Sequence, residues 1–222
     1  MYLLTAATTF EMDAFRNHCA GRDEDLLLVT GVGPMETTLR LMRRLQKERE
    51  RIRGVINFGV AGAYRFPGQE QAADLLDICL AESEVLGDFG ICLHGEIEQF
   101  SAHLEAPAAF TLAPTLLAAG RRILAGHGIS CRSGAFVTVN CASGTLARGA
   151  MLGRLHHALC ENMEGAAVAR VCWEFSLPCL EIRCISNLVE DRDPSGWQLD
   201  RACGAAGRAA ALVARHLEQY HD

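Results

Sequence analysis

Residues 177–193 read LPCLEIRCISNLVEDRD, and this stretch decides the fold class. Its first ten residues, 177–186, carry apolar side chains on both alternating faces, which is typical of a strand in a sheet covered on both sides. After Asn187 and the apolar pair Leu188-Val189, charged residues follow from Glu190 to Asp193. In α/β sheets, ligands bind beyond the carboxyl ends of the strands. The stretch therefore predicts a buried strand that leads into a functional loop.

Similar apolar runs alternate with helical patterns along the whole chain. This alternation predicts an α/β fold, with a three-layer α/β/α sandwich around a mixed, largely parallel central sheet. The 222 residues contain no repeat and no low-complexity linker, so we expect a single domain over residues 1–222. The predicted strands are 2–7, 25–32, 54–62, 75–85, 132–140 and 177–186, and the predicted helices are Pro34 to about Arg53, Pro114 to Ala125, Glu164 to Phe175 and Ser195 to Tyr220.

Composition limits the classes of partner. The formal net charge is -6, which argues against a nucleic-acid backbone or an anionic membrane as the main partner. The basic run at 40–53 is interpreted as the solvated second half of a helix, with a phosphate or partner patch as the alternative. No run approaches the length of a membrane span, and the N-terminus lacks the basic region of a signal peptide.

The ten cysteines contain no C-x-x-C spacing and lie in apolar runs. Free cysteine behaves as a small buried hydrophobe, so we expect reduced core thiols in a cytoplasmic protein. The ligand spacing of zinc sites is missing, and no metal is expected. Gly31-Val-Gly33 lacks the third glycine of a dinucleotide fingerprint, because position 36 is Glu, and no cofactor is expected.

Four motifs are predicted to meet at the carboxyl edge of the sheet. They are Glu11, GVAGA at 59–63, ENMEG at 161–165 and RCISN at 183–187. Each has a simpler interpretation alone: Gly59 and Gly62 could form a tight turn, and Glu164 could be a carboxylate at a helix N-terminus. Their joint occurrence favours a binding site.

These motifs, with GVGPMETT and GAFVTVNCASGT, resemble the purine nucleosidase and nucleoside phosphorylase family over nearly the whole chain. Within the family, the similarity is to methylthioadenosine/S-adenosylhomocysteine nucleosidases and still more to futalosine hydrolases. The combination of MEGAA and R-x-I-S-N is specific to the family. The resemblance implies hydrolysis of the N-glycosidic bond of a purine nucleoside, and an assembly of at least two subunits.

The resemblance also assigns roles. Glu11 would orient and deprotonate the attacking water, and Glu164 would accept hydrogen bonds from the ribose hydroxyls. Met163 would pack on the sugar, while Arg183 would lie near the water and keep Glu11 ionised. The remaining contacts would come from Phe136, stacking on the base, from the backbone of Val137 and Thr138, reading the base edge, and from Trp197, beside the 5′-substituent. Phe136 and Trp197 also have simpler interpretations, as a core aromatic and as helix packing.

Asn187 stands where the resemblance implies Asp in enzymes that release adenine. An amide donates to O6 of a 6-oxopurine and accepts from protonated N7, whereas an ionised carboxylate cannot donate. Asn187 therefore favours hypoxanthine or guanine as the leaving base, and futalosine, an inosine-like nucleoside with a carboxyphenyl tail, meets this requirement. The proton on N7 would come from solvent, Asp191 or Asp193.

Three functions are compatible with these residues. The first is hydrolysis of futalosine to hypoxanthine in menaquinone biosynthesis. The second is another enzymatic activity, that of a purine nucleoside phosphorylase or of a methylthioadenosine/S-adenosylhomocysteine nucleosidase. The third is nucleoside binding without catalysis, which would not need Glu11 as a base. For holding phosphate, the turn after GVAGA offers only Arg65, and Arg22 lies in an early loop, so water is favoured as the nucleophile.

Overall fold

The computed structural model describes residues 1–19, 21, 23–66, 72–100, 102–104 and 106–217. Arg22 and residues 218–220 of the expected last helix lie outside the described residues. In the part of the chain that is described, no helix combines the length and the apolar character needed to cross a membrane.

The described residues form ten strands and six α-helices. The strands are β1 (Tyr2–Ala6), β2 (Leu27–Val29), β3 (Gly54–Tyr64), β4 (Ile78–Leu86), β5 (Gly90–Leu93), β6 (Glu96–Gln99), β7 (Ala109–Thr111), β8 (Cys131–Thr138), β9 (Ala158–Asn162) and β10 (Cys179–Val189). The helices are α1 (Thr9–Arg16), α2 (Pro34–Glu48), α3 (Pro114–Gly126), α4 (Leu146–His156), α5 (Gly165–Glu174) and α6 (Leu199–Leu217).

Eight strands form one mixed sheet in the order β10-β4-β8-β9-β3-β1-β2, with β7 paired to β4. Five of the described pairings in this sheet are parallel and three are antiparallel. One of the five parallel pairings joins β10 to β3, so that β3, β10, β4, β8 and β9 close into a ring. The α/β class and the mixed sheet are as expected, while the three-layer description stays a prediction.

Alternate residues of the strands pack into two apolar cores, as a period of two requires. Ile78 and Leu80 of β4 belong to a core with helices α1, α3 and α6. Cys79 and Ala81 belong to a second core with α2 and α5. Helices therefore cover both faces of these strands, which explains why the strands are apolar throughout.

The structure corrects the sequence prediction at the edge of the sheet. GVAGA, residues 59–63, is part of β3 and not a turn, because it pairs with both β10 and β9. Strand β10 likewise continues through Asn187 to Val189. The predicted helix from Pro34 ends at Glu48, and Arg49–Arg51 forms a 3-10 turn. The sequence prediction missed α1, α4, β5, β6, β7 and β9.

Candidate active site

A cavity of about 370 Å³ opens where β1, β3, β9 and β10 end. Six of the predicted site residues line it, namely Glu11, Met163, Glu164, Arg183, Asn187 and Trp197. The fold thus brings together side chains that are up to 186 positions apart in the sequence. Within the described chain, no group of three or more histidine, cysteine, aspartate or glutamate residues is arranged to hold a metal ion.

Glu11 is fixed by the start of α1. Thr8 caps this helix: its side-chain oxygen accepts from the Glu11 N–H at 3.2 Å, and Glu11 Oε2 accepts from the Thr8 N–H at 3.0 Å and from the Thr8 hydroxyl at 2.8 Å. The other oxygen, Oε1, accepts from the Val60 N–H at 3.1 Å. This reciprocal capping box holds the carboxylate in one orientation at the cavity wall.

The absence of a side chain at Gly59 leaves the space that the Glu11 carboxylate occupies. A Cβ at position 59 would lie 2.4 Å from Glu11 Oε1 and 2.9 Å from Arg183 Nη1. Both charged groups therefore pack directly on the backbone of β3. The strand interior requires glycine here because a backbone and two polar groups approach closely.

Glu164 precedes α5 and lies beside the glycine loop before α2. Its Oε1 accepts from the Gly33 N–H at 3.1 Å, and its Oε2 accepts from Arg183 Nη1 and Nη2 at 3.4 Å each. Burial raises the pKa of Glu164, while Arg183 and the Gly33 N–H act in the opposite direction. Oε1 keeps one free lone pair, whereas Oε2 already accepts two hydrogen bonds from Arg183, both at the long distance of 3.4 Å.

Arg183 is almost fully buried and links several parts of the site. Its Nε donates to Glu181 Oε1 at 2.8 Å, and its Nη2 donates to Asn162 Oδ1 at 3.1 Å. Burial lowers its pKa, but the carboxylates of Glu181, Glu164 and Glu11 outweigh this and raise it. The guanidinium is therefore a permanent charge held in place by bonds to protein groups.

Asn187 reaches the cavity through an irregularity in β10. The register with β3 shifts between Ile185 and Asn187, and Asn187 is paired with Gly62. A bulge of this kind re-aims a side chain. The Ser186 hydroxyl donates to Asn187 Oδ1 at 2.9 Å, and the only protein acceptor described for Nδ2 is the Leu188 carbonyl at 3.4 Å. The amide NH2 is thus left available to a ligand.

Phe136 and Val137 are not among the residues that line the cavity, which contradicts stacking of Phe136 on the base, while base reading by the Val137 backbone stays a prediction. Both side chains are fully buried in apolar cores. The structure places Val139, just after β8, in the cavity wall instead. Phe136 is the core aromatic of the simpler interpretation.

The mouth of the cavity is apolar with one exposed cation. Phe10, Val32, Leu199 and Trp197 are all partly exposed there, and Trp197 is 38% exposed. The Arg192 guanidinium lies 5.4 Å from the centre of the Trp197 ring. The sequence analysis assigns no role to Arg192.

The two candidate proton donors are in different places. Asp191 does not line the cavity, and its Oδ1 accepts from the Leu146 N–H at 3.1 Å. Asp193 lines the cavity, but hydrogen bonds from Ser195 hold its pKa below the ordinary value. A lowered pKa makes Asp193 a poor donor. Arg65, the described candidate for binding phosphate, is not among the cavity residues.

The comparisons with known proteins agree with this geometry. The sequence profile of the family described as the phosphorylase superfamily matches residues 14–220. A futalosine hydrolase of Thermus thermophilus is 31% identical over 192 residues, covering 82% of this chain and 77% of that protein. A futalosine hydrolase of Streptomyces coelicolor is 36% identical over 97 residues, covering 43% of this chain and 41% of that protein. A structure of a futalosine hydrolase mutant of Helicobacter pylori matches with a TM-score of 0.83 over 97% of this chain and 98% of that chain, at 17% identity, which is evidence of a shared fold.

Proposed function

The chain belongs to the phosphorylase superfamily, and we propose that it is a futalosine hydrolase, which uses water to cleave the N-glycosidic bond of futalosine and releases hypoxanthine. The observation that carries this proposal is the amide of Asn187 in a cavity that also holds Glu11 and Glu164. The two carboxylates suit glycosidic cleavage, and the amide suits a 6-oxopurine.

Glu11 acts as the general base. Its carboxylate is anchored by Thr8 and by the Val60 N–H, and its Oε1 keeps one lone pair for a water molecule. Water held by this group would be aimed at the anomeric carbon as the glycosidic bond breaks. Positioned proton abstraction of this kind contributes roughly 10²- to 10⁴-fold to the rate.

Glu164 binds the ribose. Two adjacent hydroxyls need two acceptors. Oε1 has a lone pair left beside its bond from the Gly33 N–H, and a hydroxyl can replace one of the two 3.4 Å bonds that Oε2 accepts from Arg183. A buried negative charge beside the sugar also stabilises the positive charge that develops on it in the transition state. Met163, next to Glu164 in the cavity wall, packs against the sugar.

Asn187 recognises the base. Its Nδ2 donates to O6, and its Oδ1, already oriented by the Ser186 hydroxyl, accepts from protonated N7. The amide cannot supply the proton, and Asp193 is a poor donor, so we assign the N7 proton to solvent.

Trp197 and Arg192 bind the tail of the substrate. The partly exposed indole offers an apolar surface to the phenyl ring. The guanidinium beside it can pair with the tail carboxylate. This pairing would distinguish futalosine from inosine, which has no carboxylate.

Water is the proposed nucleophile because the cavity offers no free cation near Glu11. The Arg183 guanidinium already donates hydrogen bonds to Glu181, Glu164, Asn162 and the Val60 carbonyl, and so it is not free to bind phosphate. The only other arginine lining the described cavity is Arg192, which lies at the mouth beside Trp197.

The wider setting is also proposed. Hydrolysis of futalosine places the reaction in menaquinone biosynthesis, in the cytoplasm, with the single domain acting in a homodimer or larger homo-oligomer.

The test is to incubate the protein with futalosine, aminodeoxyfutalosine, inosine and methylthioadenosine, with and without phosphate, and to quantify the free base. We expect hypoxanthine from futalosine at a rate that does not depend on phosphate. Preferential release of adenine from methylthioadenosine would indicate the adenosine-type nucleosidase, and a requirement for phosphate would indicate a phosphorylase. Absence of any released base would leave nucleoside binding alone.

A further inference from the structure

Glu161 lies in the cavity wall without a role in the steps above. Glu161 is 5% exposed, so its carboxylate is nearly buried. The carboxylate nevertheless borders the space where the base would lie. A buried carboxylate is costly unless hydrogen bonds compensate for the lost hydration. The hydrogen bonds of Glu161 therefore determine what this group can contribute to the cavity.

Glu161 and Asn187 face the same space from either side of Gly62. The strand pairings place Gly62 opposite Glu161 on β9 and opposite Asn187 on β10. Residues that are directly opposite on neighbouring strands project from the same face of a sheet. Two strand spacings separate the backbones of Glu161 and Asn187 by about 10 Å. Gly62 has no side chain to fill the gap between these two polar groups.

The carboxylate of Glu161 is held but not saturated. Its Oε1 accepts from the Ser143 N–H at 2.6 Å, and its Oε2 accepts from the Ser143 hydroxyl at 2.7 Å. Each oxygen has a second lone pair. The Tyr64 hydroxyl is buried beside Glu161 and can occupy one further lone pair of the carboxylate. Burial raises the pKa of Glu161, while the hydrogen bonds from Ser143 and Tyr64 act in the opposite direction. Glu161 is thus oriented by the loop after β8 and can accept one more hydrogen bond.

We propose that Glu161 accepts a hydrogen bond from N1–H of the 6-oxopurine and acts with Asn187 as a second specificity determinant. This inference rests on the proposed function. Around the purine ring, N1 follows the C6 carbonyl on the side away from N7, so a base whose N7 and O6 meet Asn187 presents N1 further along the same edge. Hypoxanthine has a hydrogen on N1, whereas adenine has a lone pair there, which a carboxylate repels. The cavity therefore selects against adenine at two ring positions.

The test compares free bases as inhibitors of futalosine hydrolysis by the wild-type protein and the Glu161→Gln variant. The bases are hypoxanthine, 1-methylhypoxanthine, adenine and 3-deazahypoxanthine, which keeps N1–H and controls for a general effect of altering the ring. Glutamine has the size of glutamate, so steric exclusion of the N1-methyl group is the same in both proteins. Glu174→Gln, an exposed change at the end of α5, is the matched control variant.

In the wild type, we expect hypoxanthine and 3-deazahypoxanthine to bind better than 1-methylhypoxanthine. In Glu161→Gln, the preference for hypoxanthine over adenine should fall by roughly ten- to hundredfold, because the amide carbonyl can still accept from N1–H of hypoxanthine, whereas the carboxylate that repels N1 of adenine is gone. Binding of adenine should improve, because the new NH2 group can donate to its N1. An unchanged preference between hypoxanthine and adenine in the variant, or equal binding of hypoxanthine and 1-methylhypoxanthine to the wild type, overturns the inference.

The outcomes separate this inference from the proposed function. Hydrolysis of futalosine by the wild type, together with unchanged base preference in the variant, rejects only the role of Glu161. Failure of the wild type to hydrolyse futalosine rejects the proposed function itself. If Glu161→Gln does not fold, as judged by circular dichroism, the wild-type comparison decides, and equal binding of hypoxanthine and 1-methylhypoxanthine refutes the contact.

Discussion

Replacing Asn187 with Asp tests the assignment of the leaving base with a change of one atom. The Asn187 side chain already fits its place: Ser186 donates to Oδ1 at 2.9 Å, and a Cβ on Gly62 would lie 3.1 Å from Nδ2. Aspartate has the same shape and keeps the bond from Ser186. What the substitution removes is the NH2 donor, whose only described protein acceptor is a carbonyl at the long distance of 3.4 Å.

The expected cost follows from that lost donor. In the variant, O6 of a 6-oxopurine would face an acceptor, with no proton between the two oxygens. Leaving a buried polar group unpaired costs about 1–3 kcal/mol. This corresponds to a loss of roughly 5- to 150-fold in kcat/KM for futalosine. Aminodeoxyfutalosine, with an amino donor at C6, should lose little or gain.

The assay is the ratio of kcat/KM for futalosine over aminodeoxyfutalosine, measured by release of the base from each. We expect this ratio to fall in Asn187→Asp. It should stay constant in Asn17→Asp, the same chemical change at an exposed residue after α1. An equal loss for both substrates would mean that Asn187 does not distinguish the bases, and would refute the reasoning.

Three other substitutions test separate parts of the site. Glu11→Gln should lower kcat by roughly 10²-fold or more with little change in KM, because it removes the base and keeps the shape, and near-normal turnover in a steady-state assay would exclude Glu11 from the mechanism. Arg192→Ala should raise KM for futalosine several-fold and leave inosine unaffected, and a parallel change for both substrates would argue against a contact with the tail carboxylate. Glu84→Gln should flatten the pH dependence of the free energy of unfolding, measured with urea. Burial and Glu181 raise the pKa of Glu84 well above 4.5 in the folded protein. The contribution of Glu84 to wild-type stability is therefore fully present below pH 4.5 and is lost as the pH rises towards the raised pKa. Parallel curves for wild type and variant would mean that Glu84 has no such shift.

The sequence predicts the parts of this fold that depend on local patterns. Apolar runs located β1, β3, β4, β8 and β10 to within a few residues, because strands buried on both faces have a strong signal. The Thr8–Glu11 spacing is itself a readable capping-box pattern, although the prediction did not use it for α1. The closure of the ring was not predictable in this way, since the pairing of β10 with β3 joins residues more than 120 positions apart.

Phe136 shows why the site was only partly predictable. The motif around residue 136 marks the correct strand, but its register with β9 shifts between Ala135 and Phe136. A shift of one residue exchanges the face to which each side chain points. The Val139 N–H donates to the Asn162 carbonyl at 2.9 Å, which fixes the point where the chain leaves the strand for the cavity. Such irregularities depend on long-range pairing and have no local sequence signal.

The ring of strands also explains how a site with one buried cation holds several carboxylates. Glu84 is fully buried, and its raised pKa favours the neutral form, so Arg183 does not have to balance a negative charge on Glu84. Its oxygens accept from Asn162 Nδ2 at 2.5 Å and from the Thr138 hydroxyl at 2.8 Å. These two residues in turn accept from backbone N–H groups at the start of α5. Asn162 Oδ1 accepts from the N–H groups of Glu164 and Gly165, and the Thr138 hydroxyl oxygen accepts from the Ala166 N–H. Each strand of the ring supplies one polar residue to this network, namely Asn57, Glu84, Thr138, Asn162 and Glu181. Because the network holds the start of α5 on one side and Arg183 on the other, closure of the ring sets the position of Glu164, and with it the place of the sugar relative to Glu11.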